Sequence, residues 1–225
     1  MIISKTKIET VKNPDGTQGY VWNPIIGCKN KCPWCYARKI ARRFPAQFGN
    51  FDTPHWSKNY DKSFPKNPSM IFLSMSDYNQ WDFYAWDYIE LRMRLAKQHT
   101  FLVSSHSQHF LDFPANVWQE ITINNYEESK NLYNNIYSKK TMKGKFVLSI
   151  EPMHSVIDIS TICKVDPDWI IIGAETGNRK DKIFTDQEWI RPFFDLDTPL
   201  YMKNSLKSVC DFELRQEFPE GYLNE

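Results

Sequence analysis

The sequence predicts an α/β protein built on a mostly parallel sheet, and three observations lead to this prediction. Six short runs after residue 70 are apolar at consecutive positions, as in parallel strands buried on both faces. Amphipathic helical patterns separate several of these runs. Strand–helix alternation over six or seven units forms either a doubly wound sheet or a (β/α) barrel. The six predicted strands are residues 70–75, 100–104, 117–123, 145–150, 169–172 and 199–202.

The N-terminal region, residues 1–18, is predicted to form a short hairpin. Its turn is the N-P-D-G sequence, in which Pro14 presets φ and Gly16 accepts a positive φ. Residues 19–26 follow as the predicted first strand of the main sheet.

Helical periodicity predicts three helices with buried stripes. These stripes are Ala37, Ile40, Ala41 and Phe44 in the first, Trp86, Ile89, Met93 and Ala96 in the second, and Leu132, Tyr133, Ile136 and Tyr137 in the third. Thr185 to Glu188 fits a capping box and predicts a further helix, which Pro192 would shorten or kink.

Connections after residues 104 and 153 are predicted to lack full helices. Residues 45–69 are predicted to be a long irregular excursion, rich in proline and aromatic residues.

Composition restricts the class of protein. The 28 basic residues nearly balance the 27 acidic ones, so the chain has no general attraction to nucleic acid or membranes. Clustered thiols suit a reducing compartment, and the N-terminus lacks the apolar segment of a signal peptide. No apolar run approaches the length of a membrane span. We therefore expect residues 1–225 to form one soluble cytoplasmic domain with no membrane partner.

Three of the five cysteines, Cys28, Cys32 and Cys35, fall within eight residues. Pairing them as disulfides would leave one over, so they are interpreted as soft ligands converging on one metal centre. A structural zinc site is the alternative, but it needs four ligands. Cys163 is far along the chain, and the nearest histidine is His55.

The C-x3-C-x2-C spacing, with Trp34 just before the last cysteine, resembles the signature of radical S-adenosylmethionine (SAM) enzymes. The resemblance implies a [4Fe–4S] cluster whose fourth iron is left open for SAM. It also implies reductive cleavage of SAM to a 5′-deoxyadenosyl radical, with an electron donor such as flavodoxin. The fold it implies is a partial (β/α)6 TIM-like barrel, with the motif after the first strand.

Further blocks of sequence extend this resemblance over residues 20–205. They are W-N-P-I-I-G-C (22–28), S-M-S-D (74–77), H-T-F-L-V (99–103), N-V-W (116–118), S-I-E-P-M (149–153), D-W-I-I-I-G-A-E-T-G (168–177) and P-L-Y-M-K (199–203). They are similar to the phage- and prophage-associated radical-SAM-like family of unknown function. Two features depart from it: the first two cysteines are closer than in many members, and S-S-H-S (104–107) replaces a Thr-Lys-Arg-Pro stretch.

In such barrels, functional residues gather at the carboxyl ends of the strands. The cofactor-binding candidates are Trp34 in the cysteine motif and, at strand ends, Ser74, Ser76, Asp77, Ser104, Glu151 and Glu175. The catalytic candidates are Glu151, Glu175 and Lys203, and His106, Thr122, Asn124 and Ser149 are also at strand ends. Two structural alternatives stay open. Asp77 is suited to capping the helix that follows, and Lys203 to pairing with a neighbouring carboxylate.

A basic face surrounds the cysteines and is formed by Lys29, Lys31, Arg38, Lys39, Arg42 and Arg43. It is interpreted as a solvated helix face, as a docking surface for an acidic electron donor, or as a contact for nucleic acid with stacking from residues 45–69. The sequence thus predicts a radical SAM enzyme acting on an unknown substrate, with nucleic acid as one candidate. The alternative is a non-enzymatic binding module for nucleic acid or protein, stapled by zinc or an iron–sulfur cluster.

Overall fold

The computed structural model describes residues 3–132 and 143–222, which form a mixed α/β fold around an eight-stranded sheet. The strands of this sheet, in spatial order, are β1 (Ser4–Lys5), β2 (Tyr20–Val21), β5 (Met70–Leu73), β6 (Thr100–Ser105), β7 (Val117–Thr122), β8 (Phe146–Ile150), β9 (Trp169–Ile172) and β10 (Leu200–Met202). Only β1 is antiparallel to its neighbour. The predicted mostly parallel α/β sheet is confirmed.

The strand order follows the chain without reversal, so the sheet lacks the switch point of a doubly wound fold. Among the described residues β1 and β10 do not pair, so the sheet does not close on itself. A separate two-stranded sheet pairs β3 (Ile25–Ile26) with β4 (His55–Trp56).

The helices are α1 (Tyr36–Arg43), α2 (Pro45–Phe48), α3 (Phe83–Leu95), α4 (Tyr126–Leu132) and α5 (Ile159–Val165), with 3₁₀ turns at Tyr78–Gln80, Gln187–Trp189, Arg191–Asp195 and Asn204–Leu206. The predicted stripe of α3 is buried at Ile89 and Met93. Tyr133, Ile136 and Tyr137 lie outside the described residues. Within the described ranges, every helix is too short or too polar to cross a lipid bilayer.

Several predicted elements differ in the structure. The connection after residue 153, predicted to lack a full helix, contains the seven-residue helix α5. The predicted helix after Thr185 is a 3₁₀ turn, because the Thr185 hydroxyl donates to the Met153 carbonyl and Asp186 supplies the cap. Residues 19–26 form two strands instead of one. The Asn23 side-chain oxygen accepts hydrogen bonds from the backbone N–H groups of Ser74 and Met75. The next residue, Pro24, has no N–H to donate to a neighbouring strand. The chain therefore leaves the main sheet before β3.

The N-terminal turn forms where the sequence predicts it. Gly16 has a φ of +76°, and the N–H of Asn13 donates to the carbonyl of Thr17 at 2.8 Å. The long excursion at residues 45–69 is less irregular than predicted, because it contains α2 and β4.

The sheet has two buried faces because side chains alternate along each strand. One face packs against the helices through residues such as Ile71, Val103, Ile121, Leu148 and Ile170. The other face carries Met70, Phe72, Leu102, Trp118, Val147, Trp169, Ile171 and Tyr201, closed by Val11 and Tyr222. Toward the carboxyl ends of the strands this second face becomes polar, and the candidate site begins there.

Candidate functional site

A cavity of about 530 Å³ opens at the carboxyl ends of the parallel strands. Its volume falls within the range of roughly 300–1,000 Å³ typical of small-molecule sites. The predicted residues that line it are Cys28, Cys32, Trp34, Cys35, Ser74, Ser76, Asp77, Ser104, His106, Thr122, Ser149, Glu151, Glu175 and Lys203. Asn124 is buried outside this lining, and its amide donates to the Pro152 carbonyl at 2.7 Å. We call this space the strand-end cavity.

The cysteine loop, residues 28–35, forms one wall of the cavity. It begins after Gly27, whose φ is +109° and whose missing Cβ would lie 2.4 Å from the Thr53 carbonyl oxygen, so only glycine fits there. The loop ends where the sulfur of Cys35 caps α1 by accepting the Arg38 N–H at 3.4 Å. All five cysteines of the chain are free thiols.

The three thiols of the loop share one partly buried environment. Burial, followed by smaller contributions from neighbouring cysteines, raises the pKa of Cys28 and raises that of Cys32 to about 11. Thiolates bind metals, so a metal or cluster would displace these protons on binding. The donor set, three thiols beside an open cavity, fits an iron–sulfur cluster that keeps one iron accessible.

A single-ion site is the alternative for these thiols. In the part of the chain that the structure describes, no group of three or more His, Cys, Asp or Glu side chains is arranged to hold one metal ion. Ligands of one zinc ion must converge to about 2.3 Å from it, whereas the thiolates of a cluster bind different irons and stand further apart. His55, the histidine considered for zinc, instead contacts the carbonyls of Thr53 and Phe48 through its two ring nitrogens.

Gln80 supports the cysteine loop from the 3₁₀ turn at Tyr78–Gln80. Its side-chain oxygen accepts the Lys29 N–H at 2.7 Å, and its nitrogen donates to the Asn30 side chain at 2.7 Å. The same nitrogen lies 3.7 Å from the sulfur of Cys28. Sequence analysis missed Gln80 because its role comes from a tertiary contact and not from a motif.

Asp77 ties the cysteine loop to the end of β6. Its carboxylate accepts hydrogen bonds from the Asn30 amide at 2.8 Å and the Ser105 hydroxyl at 2.6 Å. It also accepts the backbone N–H groups of His106 and Asn79 at 3.1 and 3.0 Å. These four donors occupy the usual acceptor capacity of a carboxylate. Asp77 therefore caps the following turn, as the structural alternative holds, and also positions the loop.

The floor of the cavity carries an ion pair between β8 and β10. Lys203 donates to both oxygens of Glu151, at 2.7 and 2.6 Å. The Lys203 side chain is 14% exposed and that of Glu151 is 33% exposed. Lys203 thus takes the structural pairing considered from the sequence, while Glu151 still faces the cavity.

Glu120 is a cavity residue that sequence analysis missed, because it lies inside the apolar run of β7. It is buried, and burial raises its pKa to about 7, although the Ser104 and Ser149 hydroxyls act in the opposite direction. The available signal was its place in V-W-Q-E-I-T, where it alternates with Val117 and Ile121 and so points away from the helix-covered face.

The raised pKa of Glu120 predicts a pH-dependent stability. Because the folded protein holds this proton between about pH 4.5 and 7 and the unfolded chain does not, the free energy of unfolding should fall as pH rises through that window. Glu120→Gln should flatten this profile and stabilise the metal-free protein at about pH 8 by at most about 3 kcal/mol. Urea unfolding across this pH range measures it. An unchanged profile would show that Glu120 does not carry a buried charge above pH 7.

Glu175 has protein partners on both oxygens. Arg179 binds it through Nε and Nη2 at 2.8 and 2.9 Å, and these bonds lower the pKa of the carboxyl group. His154 lies 3.2 Å from its second oxygen, and the Trp34 ring packs edge-on against His154 with centroids 4.5 Å apart. Glu175, with its side chain only 1% exposed, therefore positions Trp34 beside the cysteines.

The predicted basic face is partly wrong. Arg38 is buried: it pairs with Asp52, donates to the Cys28 carbonyl at 2.8 Å and places its guanidinium 5.2 Å from the Phe51 ring centroid. The predicted apolar face of α1 is also only half buried, because Ile40 and Phe44 are exposed. Arg38 closes the cysteine loop and belongs to the core of this region.

The predicted stacking role of residues 45–69 stays a prediction, because some of their rings are packed whereas Trp56 and Tyr60 are 38% and 42% exposed. Phe51 is buried, and the Phe64 ring packs edge-on against Trp22 with centroids 4.9 Å apart. Trp56 and Tyr60 contact each other and Tyr88. Phe51 and Phe64 therefore contribute to packing, whereas Trp56 and Tyr60 keep exposed surface.

Residues 5–198 match the model of a family described as "Protein of unknown function (DUF5131)", and the chain belongs to that family. No curated protein and no solved structure matches the chain. The family description names no activity, so a function has to be argued from the cavity and its residues.

Proposed function

We propose that the protein is a radical SAM enzyme that binds one [4Fe–4S] cluster through Cys28, Cys32 and Cys35 and binds SAM in the strand-end cavity. Its substrate would enter the same cavity. The observation that carries the proposal is the placement of three free thiols on the wall of a cavity that is also lined by the buried carboxyl groups of Asp77, Glu120 and Glu175. Glu120 forms no ion pair among the described residues, and such a buried carboxyl group is costly to a pure binding module unless it is used.

The partial (β/α)6 barrel is part of this proposal. Three features support it: the strand order β2, β5, β6, β7, β8, β9 follows the chain, the cysteine loop comes after the first of these strands, and β10 adds a seventh parallel strand. Side chains from β5 to β9, and that of Lys203 just after β10, line one cavity. A flat sheet would spread them apart, so curvature of the sheet is the simplest cause of their convergence.

The three cysteines would hold three irons and leave the fourth for the amino and carboxylate groups of SAM. When bound and reduced by a donor such as flavodoxin, the cluster would supply the electron that cleaves the SAM sulfonium. Asp77 and Gln80 fix the cysteine loop in this arrangement. They act as positioning residues.

The remaining cavity residues would bind and orient SAM and the substrate. Ser74, Ser76 and Ser104 supply hydroxyl groups, and Glu151 presents a carboxylate to cationic groups. Glu120 can hold or release a proton near neutral pH because of its raised pKa. Lys203 fixes the position of the Glu151 carboxylate through their ion pair.

The test is SAM cleavage by anaerobically reconstituted protein. With dithionite as reductant, we expect methionine and 5′-deoxyadenosine from the wild-type protein and from Cys163→Ala, and neither product from Cys35→Ala. A protein that takes up iron but neither binds nor cleaves SAM would contradict the proposal and favour the non-enzymatic binding module.

A further inference from the structure

Seven cationic side chains lie in the cysteine loop, on α1 and in the loop after β9, three segments that each reach the lining of the strand-end cavity, and we call them the basic rim. They are Lys29 and Lys31 in the cysteine loop, Lys39, Arg42 and Arg43 on α1, and Lys180 and Lys182 after β9. All are exposed or half-exposed. Within the described ranges none of them forms an ion pair.

The three segments of the rim meet at the cavity. Lys31 lines it directly, and so does Thr176, which precedes the loop carrying Lys180. The Lys39 ammonium lies 3.8 Å from the position of a Cβ on Gly177, so α1 and this loop are in contact. Arg43, four residues after Lys39, lies on the same side of α1.

The rim is a local excess of charge in a nearly neutral chain. The net charge of the whole protein is +1, and residues 28–44 contain no acidic residue. Asp181 is the one acidic side chain between Lys180 and Lys182. A positive surface whose cations form no ion pairs within the described part of the protein favours binding of a polyanion, whose negative charges would pair with those cations.

Exposed aromatic rings are interleaved with these cations. Tyr36 is 48% exposed and lines the cavity, Phe44 is 50% exposed, and Phe184 is 78% exposed. The Lys182 ammonium lies 5.4 Å from the centroid of the Phe184 ring. Cations that follow a phosphate backbone, together with rings on which bases stack, are the features of a surface for single-stranded nucleic acid.

We propose that the basic rim binds single-stranded nucleic acid and presents one nucleotide to the strand-end cavity. A base within a duplex cannot reach the cavity floor, whereas an unpaired base can enter and meet Glu120 and the Ser104 and Ser149 hydroxyls. As a statement about the substrate, the inference rests on the proposed radical SAM function; as a statement about binding, it does not.

The experiment measures fluorescence anisotropy of labelled 12-nucleotide single strands, DNA and RNA, with the reconstituted protein at several salt concentrations. We expect the logarithm of the association constant to fall linearly with the logarithm of the salt concentration. The slope should be about −2 to −5, as for roughly three to seven phosphate contacts. Lys39→Glu combined with Arg43→Glu should weaken binding at least about 10-fold and reduce the slope by about 1.4. Phe184→Ala should weaken it about 5-fold or more through lost stacking.

The matched control is Lys66→Glu combined with Lys97→Glu, which makes the same change in charge near the amino ends of β5 and β6. Equal weakening by both double variants, tighter binding of a duplex of the same sequence, or binding of an acidic protein such as flavodoxin but not the single strands would overturn the proposal. Iron content and SAM affinity of the rim variants are measured in parallel. Wild-type protein that binds SAM but not the oligonucleotides refutes this inference alone, whereas wild-type protein that binds the oligonucleotides but neither binds nor cleaves SAM refutes the radical SAM function alone.

Discussion

Replacing any one of Cys28, Cys32 or Cys35 by alanine should abolish cluster incorporation. The reconstituted wild-type protein is expected to bind about four irons with visible thiolate-to-iron absorbance, because three thiolates suffice to hold a cluster with one open iron. Two thiolates in the strand-end cavity do not hold it, and the structure offers no cysteine nearby as a substitute: the cavity is lined by these three alone among the five. Iron and sulfide analysis of each variant measures the effect.

Cys163→Ala and Cys210→Ala are the matched controls. Cys163 is exposed on α5, and Cys210 is half-buried away from the cavity lining, so both variants should retain wild-type iron. Since only these two thiols remain, we also expect no auxiliary cluster of the usual four-cysteine type. Stoichiometric zinc without iron uptake, or a second cluster with protein ligands, would contradict the assignment of the cysteines.

The sheet was predictable because its strands are buried on both faces and therefore apolar at consecutive positions. Runs such as residues 169–172 and 146–150 can be recognised from the sequence without knowledge of their tertiary contacts. Elements decided by a single tertiary contact were not predictable. Asn23 diverts the chain out of the main sheet by bonding to Ser74 and Met75, and Thr185 bonds to Met153 instead of capping a helix.

The candidate site was partly predictable for a geometric reason. Strand ends of a parallel sheet converge, so Glu151, Glu175 and Lys203 could be placed together from their positions after apolar runs. Their partners could not be foreseen, since Arg179 and His154 come from loops without periodicity. The burial of Arg38 was also hidden, because helical periodicity placed it on the solvent face.

The three strand-end carboxylates, Asp77, Glu151 and Glu175, differ in their hydrogen-bond and ion-pair partners, which the sequence could not show. Asp77 accepts four hydrogen bonds from the protein, and the side chain of Glu175 is only 1% exposed with Arg179 and His154 on its oxygens. Glu151 is the most accessible of the three, since its side chain is 33% exposed and Lys203 is its one ion-pair partner among the described residues. A cationic ligand can therefore reach Glu151 without displacing an existing network.

Glu151→Gln should weaken SAM binding about 10- to 100-fold while leaving iron content intact. One charge-assisted hydrogen bond contributes roughly 1.5–3 kcal/mol, and the SAM ammonium and ribose hydroxyls are suitable donors to this carboxylate. The loss is compounded because Lys203 would then face the cationic ligand without its counter-charge. Asp77→Asn and Glu175→Gln are the comparison variants, and we expect them to act through the cysteine loop and Trp34, with changes in iron content or thermal stability accompanying any change in affinity. Calorimetric titration of SAM into each reconstituted variant decides the matter: unchanged affinity in Glu151→Gln would mean that the floor of the cavity does not contact SAM.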